Sequence, residues 1–374
     1  MAIRLPAFSF ALMAVGYAYR IGYRLQGWQL GVIVATLMMA VPMFNSIAYI
    51  ARGYTLHTLL SLIFFEVMFF NRGAVQGTVA RVLLVVTATL IITLPISVTL
   101  IAVISAWKFL DLLRERDFPA VLSYFMPLLV GGLIGVIFYL PSIVLGVGDV
   151  EEFSNRFGYE TLHQLLTELT TRMTTASSSP ILVIGLLLGI IVMSMTQRRL
   201  LMSMVALFGG TLVLAVMQKW LTGVYVPERI YVYFVPFLSL IAAVGWLWLI
   251  KRLPTYTQFA AVGLAVVLLL MTVVDTRHFS EPSSVARLQA AIEQHRNPQD
   301  AIILGCCWDY PLAYNNPDGE IFRVSETTEN YVLITSRYFP FERLYDLYIT
   351  DQSVDCTAEM WNTFEVYTCP TSGS

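Results

Sequence analysis

Long runs of apolar residues are the feature that most constrains this chain. Ten such runs, each 15 to 26 residues long, occupy most of residues 5–274. A helix needs about 20 mostly apolar residues to cross a bilayer, and a spanning helix satisfies its own backbone hydrogen bonds. The runs lack the alternation of a β-barrel, so they predict an α-helical polytopic membrane protein. The predicted spans are 5–23, 29–48, 54–70, 80–94, 95–110, 120–145, 180–196, 200–218, 231–250 and 256–274.

The stretch from residue 80 to residue 110 allows two interpretations. As a single helix it would be about 45 Å long, whereas the hydrocarbon core of a bilayer is about 30 Å thick. Pro95 lies in the middle of the stretch, and a proline in a helix interior kinks or breaks the helix. The sequence therefore fits either two short spans or one broken helix.

Basic residues are divided unequally between the two sets of loops that alternate along the chain. One set holds eleven Lys and Arg residues and the other holds six, and the positive-inside rule assigns the richer set to the cytoplasm. The eleven are Arg20, Arg24, Arg72, Arg81, Lys108, Arg114, Arg116, Arg198, Arg199, Lys251 and Arg252. This assignment requires 80–110 to cross twice. It predicts ten spans in the inner or plasma membrane, with both ends of the chain outside the cytoplasm.

Residues 278–374 differ in charge from residues 1–277. They carry 5 basic and 14 acidic residues, whereas the first 277 residues carry 18 basic and 11 acidic ones. Apolar stretches at Ala301–Leu304, Tyr331–Thr335 and Phe364–Thr368 predict strands, so we expect a transmembrane domain over 1–277 followed by a small extracytoplasmic α/β domain. An acidic domain is a poor partner for nucleic acid, and no motif in the chain indicates a cofactor.

All four cysteines lie in the acidic domain, at Cys306, Cys307, Cys356 and Cys369. No histidine stands near them at zinc-finger spacing, so no metal site is predicted. The thiols are either reduced and buried, or oxidised to one or two disulfides in an oxidising compartment. Cys356 and Cys369 flank the last predicted strand of a domain expected outside, and we predict a disulfide between them. Adjacent cysteines such as Cys306 and Cys307 rarely reach disulfide geometry.

Two arginines next to tyrosines stand at predicted outer ends of spans. Arg52 precedes Tyr54 by two residues, and Arg229 precedes Tyr231 by two residues. Each pair fits an interfacial anchor, because arginine snorkels and tyrosine belongs to the aromatic belt. Each also fits a phosphate site, because the guanidinium fork matches phosphate oxygens. The residues alone leave both interpretations open.

The predicted outer loop 146–180 is polar. Leucines recur in it at helical spacing and predict an amphipathic helix that lies on the membrane surface. They are Leu162, Leu165, Leu166 and Leu169. Asp149, Glu151 and Glu152 open the loop, either as a solvated acidic segment or as the source of a general base on the outer side.

Glu66, His57 and His163 are three further ionisable residues with a candidate role. Glu66 is the acid inside a clearly predicted span, near its cytoplasmic end, where it either pairs with a basic residue or couples to a proton or ion. His57 and His163 have no partner at catalytic spacing. We therefore interpret both histidines as structural residues.

Several short motifs resemble one family of membrane proteins. Arg4–Ala7 opens a span, Tyr23–Trp28 forms a cytoplasmic turn, and Ala51–Leu56 follows the next span. The segment Glu228–Leu238 resembles an Arg-Tyr…Pro element that opens a late span. Together, over roughly residues 4–250, these motifs resemble the bacterial GT-C glycosyltransferases of the dolichyl-phosphate-mannose–protein mannosyltransferase type.

The resemblance implies a transferase that takes a sugar from a polyprenyl-phosphate carrier at the outer leaflet and passes it to a glycan, lipid or protein. It assigns the carrier phosphate to Arg52, Tyr54, Arg229 and Tyr231. The family's catalytic Asp lies on a loop after its first span, and this sequence begins where the family's second span would begin. The expectation is therefore either an enzyme completed by an upstream segment or a non-catalytic relative.

Two hypotheses from other classes compete with the transferase. A transporter or lipid flippase would need charged residues at the bilayer midplane, for which Glu66 is the candidate. A non-enzymatic membrane scaffold would use the soluble domain to bind a partner and would need neither midplane charges nor outer arginines.

Overall fold

The structure is a computed structural model. The chain divides into two compact units, Met1–Thr276 and Arg277–Ser374, at a position beside the boundary predicted at residue 277. The residues that the structure describes are 5–48, 53–71, 73–145, 161–173, 179–222, 225, 228–254, 257–259, 262–263, 300–304, 330–334, 356–361 and 364–370.

The described part of the first unit consists of helices. The α-helices are α1 (Leu5–Gln26), α2 (Trp28–Ala40), α3 (Pro42–Ala48), α4 (Tyr54–Phe70), α5 (Gly77–Thr93), α6 (Ser97–Arg114), α7 (Phe118–Leu145), α8 (Leu162–Met173), α9 (Ser179–Thr196), α10 (Arg198–Thr222) and α11 (Phe234–Ile250). A 3-10 helix, η1 (Glu228–Tyr233), leads directly into α11.

The predicted helical membrane fold is confirmed. The first nine predicted spans each coincide with helices, and the tenth, 256–274, lies almost entirely outside the described residues. Within the described residues, three helical segments are both long and apolar enough to cross a membrane alone, and four more are apolar but shorter. The long segments are Phe118–Leu140, Arg198–Trp220 and Ile230–Ile250, and the shorter ones are Trp28–Ala40, Tyr54–Phe70, Gly77–Thr93 and Pro180–Thr196.

One predicted span, 29–48, is not a single helix. Helix α2 ends at Ala40, Val41 adopts an extended conformation with φ −76° and ψ 119°, and α3 begins at Pro42. A proline forces the preceding residue out of the helical region and is well suited to the first position of a new helix. The prediction of a single span was wrong here because it followed the apolar residues on both sides of Pro42 and did not place a helix break at the proline.

The stretch 80–110 forms two helices that run in opposite directions. Helix α5 ends at Thr93, which lies close to Gly53 at the start of α4. A Cβ atom placed on Gly53 would be only 2.5 Å from the methyl carbon of Thr93. Helix α6 then returns, and the Lys108 ammonium donates a 2.7 Å hydrogen bond to the Asn71 carbonyl just past the end of α4. Of the two interpretations left open by the sequence, the structure contains the two short helices.

Charged side chains gather where α4 and α6 end, and we call this region the basic end. Lys108 is buried, donates to the Asn71 carbonyl and lies 4.8 Å from the centre of the Tyr124 ring. The Tyr124 hydroxyl donates to the same carbonyl at 3.1 Å. Lys108 of α6 thus places a positive charge at the C-terminal, negative end of the α4 dipole, which is a stabilising arrangement. Nearby, Arg199 at the start of α10 forms a salt bridge with Asp111.

Glu66 is also held at this end. Its carboxylate is 5% exposed and accepts hydrogen bonds from the Tyr17 hydroxyl and the Arg24 guanidinium. Arg20 adds a second salt bridge at 3.3 Å. Of the two interpretations of Glu66, the structure shows the paired one, which joins α1 to α4.

Helices α9 and α11 pack backbone against backbone. A Cβ atom on Gly245 would lie 2.5 Å from the Gly189 nitrogen, and one on Gly189 would lie 2.7 Å from the Ile241 carbonyl carbon. The Trp246 indole N–H donates to the Ile181 carbonyl at 3.0 Å. Small residues four apart permit this close approach between membrane helices.

The order of these contacts shows that α9 and α11 run antiparallel. The orientation predicted from loop charges makes spans 180–196 and 231–250 run in the same direction, so that part of the prediction was wrong. The charge rule is a bias rather than a constraint, and Arg199, one of the eleven residues counted, is paired with Asp111.

The second unit contains a four-stranded sheet. Its strands are β1 (Asp300–Leu304), β2 (Asn330–Ile334), β3 (Thr357–Trp361) and β4 (Phe364–Pro370), in the order β1-β2-β4-β3. The β1–β2 pair is parallel, and β4 pairs antiparallel with both β2 and β3. Three of these strands were predicted. The edge strand β3 was missed because its exposed residues Thr357 and Glu359 break the apolar pattern.

Cys356 and Cys369 are joined in the structure, with their Cα atoms 4.2 Å apart. The bond ties the residue before β3 to the β4 strand beside it, where Thr357 pairs with Thr368. We expect peptide mapping of the purified protein without reductant to recover one cross-linked peptide that contains both residues. Recovery of both thiols free from protein made in its native compartment would contradict the disulfide.

Candidate functional site

The candidate site lies at the opposite end of α4 from the basic end. Here the start of α4 contacts η1, and α3 and α8 both pack against η1 and each other. Tyrosines from two of these elements are buried together with hydrophobic residues of α3 and α8. We call this region the tyrosine end, defined by Tyr54, Tyr225, Tyr231 and Tyr233.

The structure brings together at this one end the start of α4, which follows Arg52 in the sequence, and η1, which contains Arg229. Tyr54 opens α4 and is 6% exposed, and Tyr231 lies in η1 and is 3% exposed. Arg52 lies outside the described residues, and the backbone of Arg229 belongs to η1. Since both tyrosines are buried inside the helical unit, neither acts as a lipid-facing aromatic anchor.

The amphipathic helix predicted in loop 146–180 is present as α8. Leu165, Leu169 and Met173 form its buried stripe, whereas Leu166 is exposed. Residues four apart share one face of a helix, and Leu166 falls about 100° away from that stripe. The stripe faces α3 and η1, so α8 packs over the tyrosine end.

His57, which the sequence analysis interpreted as a structural residue, also lies at this site. It is fully buried on the first turns of α4, and its ring meets the Tyr233 ring edge-on with centroids 5.3 Å apart. Neither imidazole nitrogen has a hydrogen-bond partner among the residues that the structure describes. The Tyr233 hydroxyl is better satisfied and lies 3.3 Å from the Thr211 hydroxyl on α10. His163, in contrast, is exposed on α8.

The local chemistry favours an anion. The start of α4 has no capping side chain within the described part of the chain, and the free N–H groups of a helix start attract negative charge. Within the described residues, no group of three His, Cys, Asp or Glu side chains is arranged to hold a metal ion. The acidic candidates of the outer loop, Asp149, Glu151 and Glu152, lie outside the described residues.

No protein-family model matches the chain, and no curated protein is recognisably similar to it in sequence. Solved structures do resemble it. ArnT from Cupriavidus metallidurans in the apo state superposes with a TM-score of 0.53 at 12% identity, over 98% of this chain and 83% of that chain. The same protein bound to undecaprenyl phosphate gives a TM-score of 0.51 at 14% identity, with the same coverage.

A likeness at such low identity establishes the fold. It extends over nearly the whole chain, including the part that carries the short motifs noted in the sequence. The chain therefore has the fold of ArnT, which is the GT-C fold that its sequence resemblance predicts.

Proposed function

We propose that this protein binds a polyprenyl-phosphate-linked sugar at the outer leaflet of the plasma or inner membrane and takes part in transfer of the sugar. The observation that carries the proposal is the meeting of α4 and η1 at the tyrosine end, in a chain that shares its fold with ArnT. One of the ArnT structures is bound to undecaprenyl phosphate.

Arg52 and Arg229 are the proposed phosphate ligands. Arg52 stands two residues before Tyr54, the first residue of α4, and Arg229 belongs to η1, which contacts α4. Each guanidinium can donate two parallel hydrogen bonds to phosphate oxygens, and such charge-assisted bonds are about twice as strong as neutral ones. Buried Tyr54 and Tyr231 are proposed to wall the same pocket.

The proposed reaction is displacement at the anomeric carbon of the sugar. An acceptor hydroxyl forms the new C–O bond, the bond to the carrier phosphate breaks, and the phosphate leaves with the electron pair. Attack from the opposite face inverts the anomeric configuration. The arginines would stabilise the charge that develops on the phosphate, and the acceptor proton requires a base. Asp149, Glu151 and Glu152 of the outer loop are the candidates for that base in this chain.

Neither rival hypothesis gains support from the described residues. A transporter would use an ionisable group at the bilayer midplane, but Glu66, the candidate for that role, is paired with Arg20 and Arg24 at the basic end. The scaffold hypothesis gives no reason for two arginine-bearing segments to meet at one end of the unit.

Arg52→Lys and Arg229→Lys should each weaken binding of a polyprenyl-phosphate sugar by about 1–3 kcal/mol, because lysine keeps the charge but loses the bidentate fork. Binding is measured with the purified full chain in nanodiscs. Arg81→Lys, at an exposed residue of α5, is the matched control and should bind as the wild type does.

The same preparations test the proposed function as a whole. The wild type should bind the phosphate-linked sugar at least tenfold more tightly than the corresponding polyprenol. Equal affinity for the two lipids would show that no phosphate site exists and would reject the proposal. Unchanged affinity in both lysine variants would instead remove Arg52 and Arg229 from the site.

A further inference from the structure

A second observation extends the proposed phosphate site, and it rests on that proposed function. His57 has no exposed surface, yet neither of its ring nitrogens meets a hydrogen-bonding atom in the described part of the chain. Leaving a buried polar group unpaired costs about 1–3 kcal/mol. A hydrogen-bond partner would remove this cost, and a bound ligand could provide one.

The position of His57 limits where that partner lies. Its backbone N–H makes the first hydrogen bond of α4, to the Gly53 carbonyl at 2.8 Å. Side chains on a helix lean toward the N-terminus and cover the preceding turn. The imidazole thus lies over the first turn of α4, whose N–H groups have no acceptor within the helix.

Neighbouring groups agree with an anionic partner. The Tyr233 ring, at the end of η1, fixes the His57 ring edge-on, so the imidazole faces the element that carries Arg229. In the same first turn, the Thr55 hydroxyl is buried and has no partner among the described residues. Helix N–H groups, a hydroxyl and an imidazole N–H can all donate hydrogen bonds, and the oxygens of a phosphate can accept them.

We propose that the first turn of α4, together with the His57 imidazole, forms a binding site for the phosphate group of the polyprenyl carrier. His57 donates one hydrogen bond from its protonated ring nitrogen to a phosphate oxygen. It is a binding residue for the carrier phosphate, and it takes no proton from the acceptor.

The test measures binding of decaprenyl phosphate to the full chain in nanodiscs. His57→Phe keeps the ring contact with Tyr233 and removes both nitrogens, so affinity should fall about tenfold or more. His57→Gln returns an N–H donor and should recover part of that loss. Ser105→Ala is the control, because Ser105 on α6 is likewise buried and its hydroxyl has no partner among the described residues.

Each outcome has a separate meaning. If the wild type binds decaprenyl phosphate but both His57 variants bind it equally well, the site is wrong and the proposed function stands. If the wild type binds decaprenol as tightly as decaprenyl phosphate, the proposed function itself fails. Inorganic phosphate at the same concentration should not displace the lipid, and displacement would assign the site to free phosphate. A monodisperse elution profile for both variants establishes that they are folded.

Discussion

Gly189→Ala is expected to lower the free energy of unfolding by about 3 kcal/mol, although it adds only one methyl group. The new Cβ would overlap the Ile241 carbonyl, with the carbonyl carbon 2.7 Å away. Backbone atoms of α11 cannot rotate away as a flexible side chain can, so the two helices must separate. Separation also lengthens the 3.0 Å hydrogen bond from Trp246 to Ile181.

The matched control is Gly209→Ala on α10, where a Cβ would meet no atom within 4 Å. Alanine is a better helix former than glycine by about 1 kcal/mol, so this variant should be slightly more stable than the wild type. Thermal unfolding in detergent, followed by loss of the monodisperse peak, measures both. Equal effects of the two substitutions would show that α9 and α11 do not make this contact.

Replacing Arg20 and Arg24 together by alanine should destabilise the protein by about 3 kcal/mol. The Glu66 carboxylate is 5% exposed, and removing both salt-bridge partners leaves a buried charge uncompensated. Glu66→Gln should cost less, about 1 kcal/mol, because the arginines are 59% and 45% exposed and can reach water or lipid headgroups. In thermal unfolding, we therefore expect the double arginine variant to lose more stability than Glu66→Gln does.

The triple variant, with Arg20→Ala, Arg24→Ala and Glu66→Gln combined, separates pairing from loss of positive charge. It should be more stable than the double arginine variant, because the buried charge is then absent. Arg81→Ala with Arg114→Ala removes two exposed basic residues and should change stability little. A triple variant less stable than the double variant would rule out the pairing explanation.

Apolar run length and proline placement predict most of the helical unit. Nine of the ten predicted spans coincide with helices, and the two short helices on either side of Pro95 were one of two predicted alternatives. In a membrane, an apolar run of this length forms a helix because only a helix satisfies its backbone hydrogen bonds within the segment. The break at Pro42 was missed because apolar residues flank it on both sides, from Leu37 to Phe44.

The surroundings of the remaining residues depend on contacts between residues that are distant in the sequence, and patterns of single residues do not reveal such contacts. Lys108 was counted as a loop charge, yet it is buried against the Asn71 carbonyl 37 residues earlier in the chain. His57 was interpreted as structural because no catalytic partner stands near it in sequence, and the meeting with Tyr233 depends on how α4 packs against η1. The Arg52 and Arg229 assignments remain predictions that rest on the motif resemblance.

The two ends of the helical unit differ in how readily their backbone can open. At the basic end, Glu66, Lys108 and Asp111 each tie one helix to another through charged hydrogen bonds. The tyrosine end contains the seven-residue α3 and the six-residue η1. Short elements lose few hydrogen bonds when they open, so their opening free energies lie at the low end of the range within one protein. We therefore expect the backbone of α3 and η1 to open more readily than the helices that meet at the basic end.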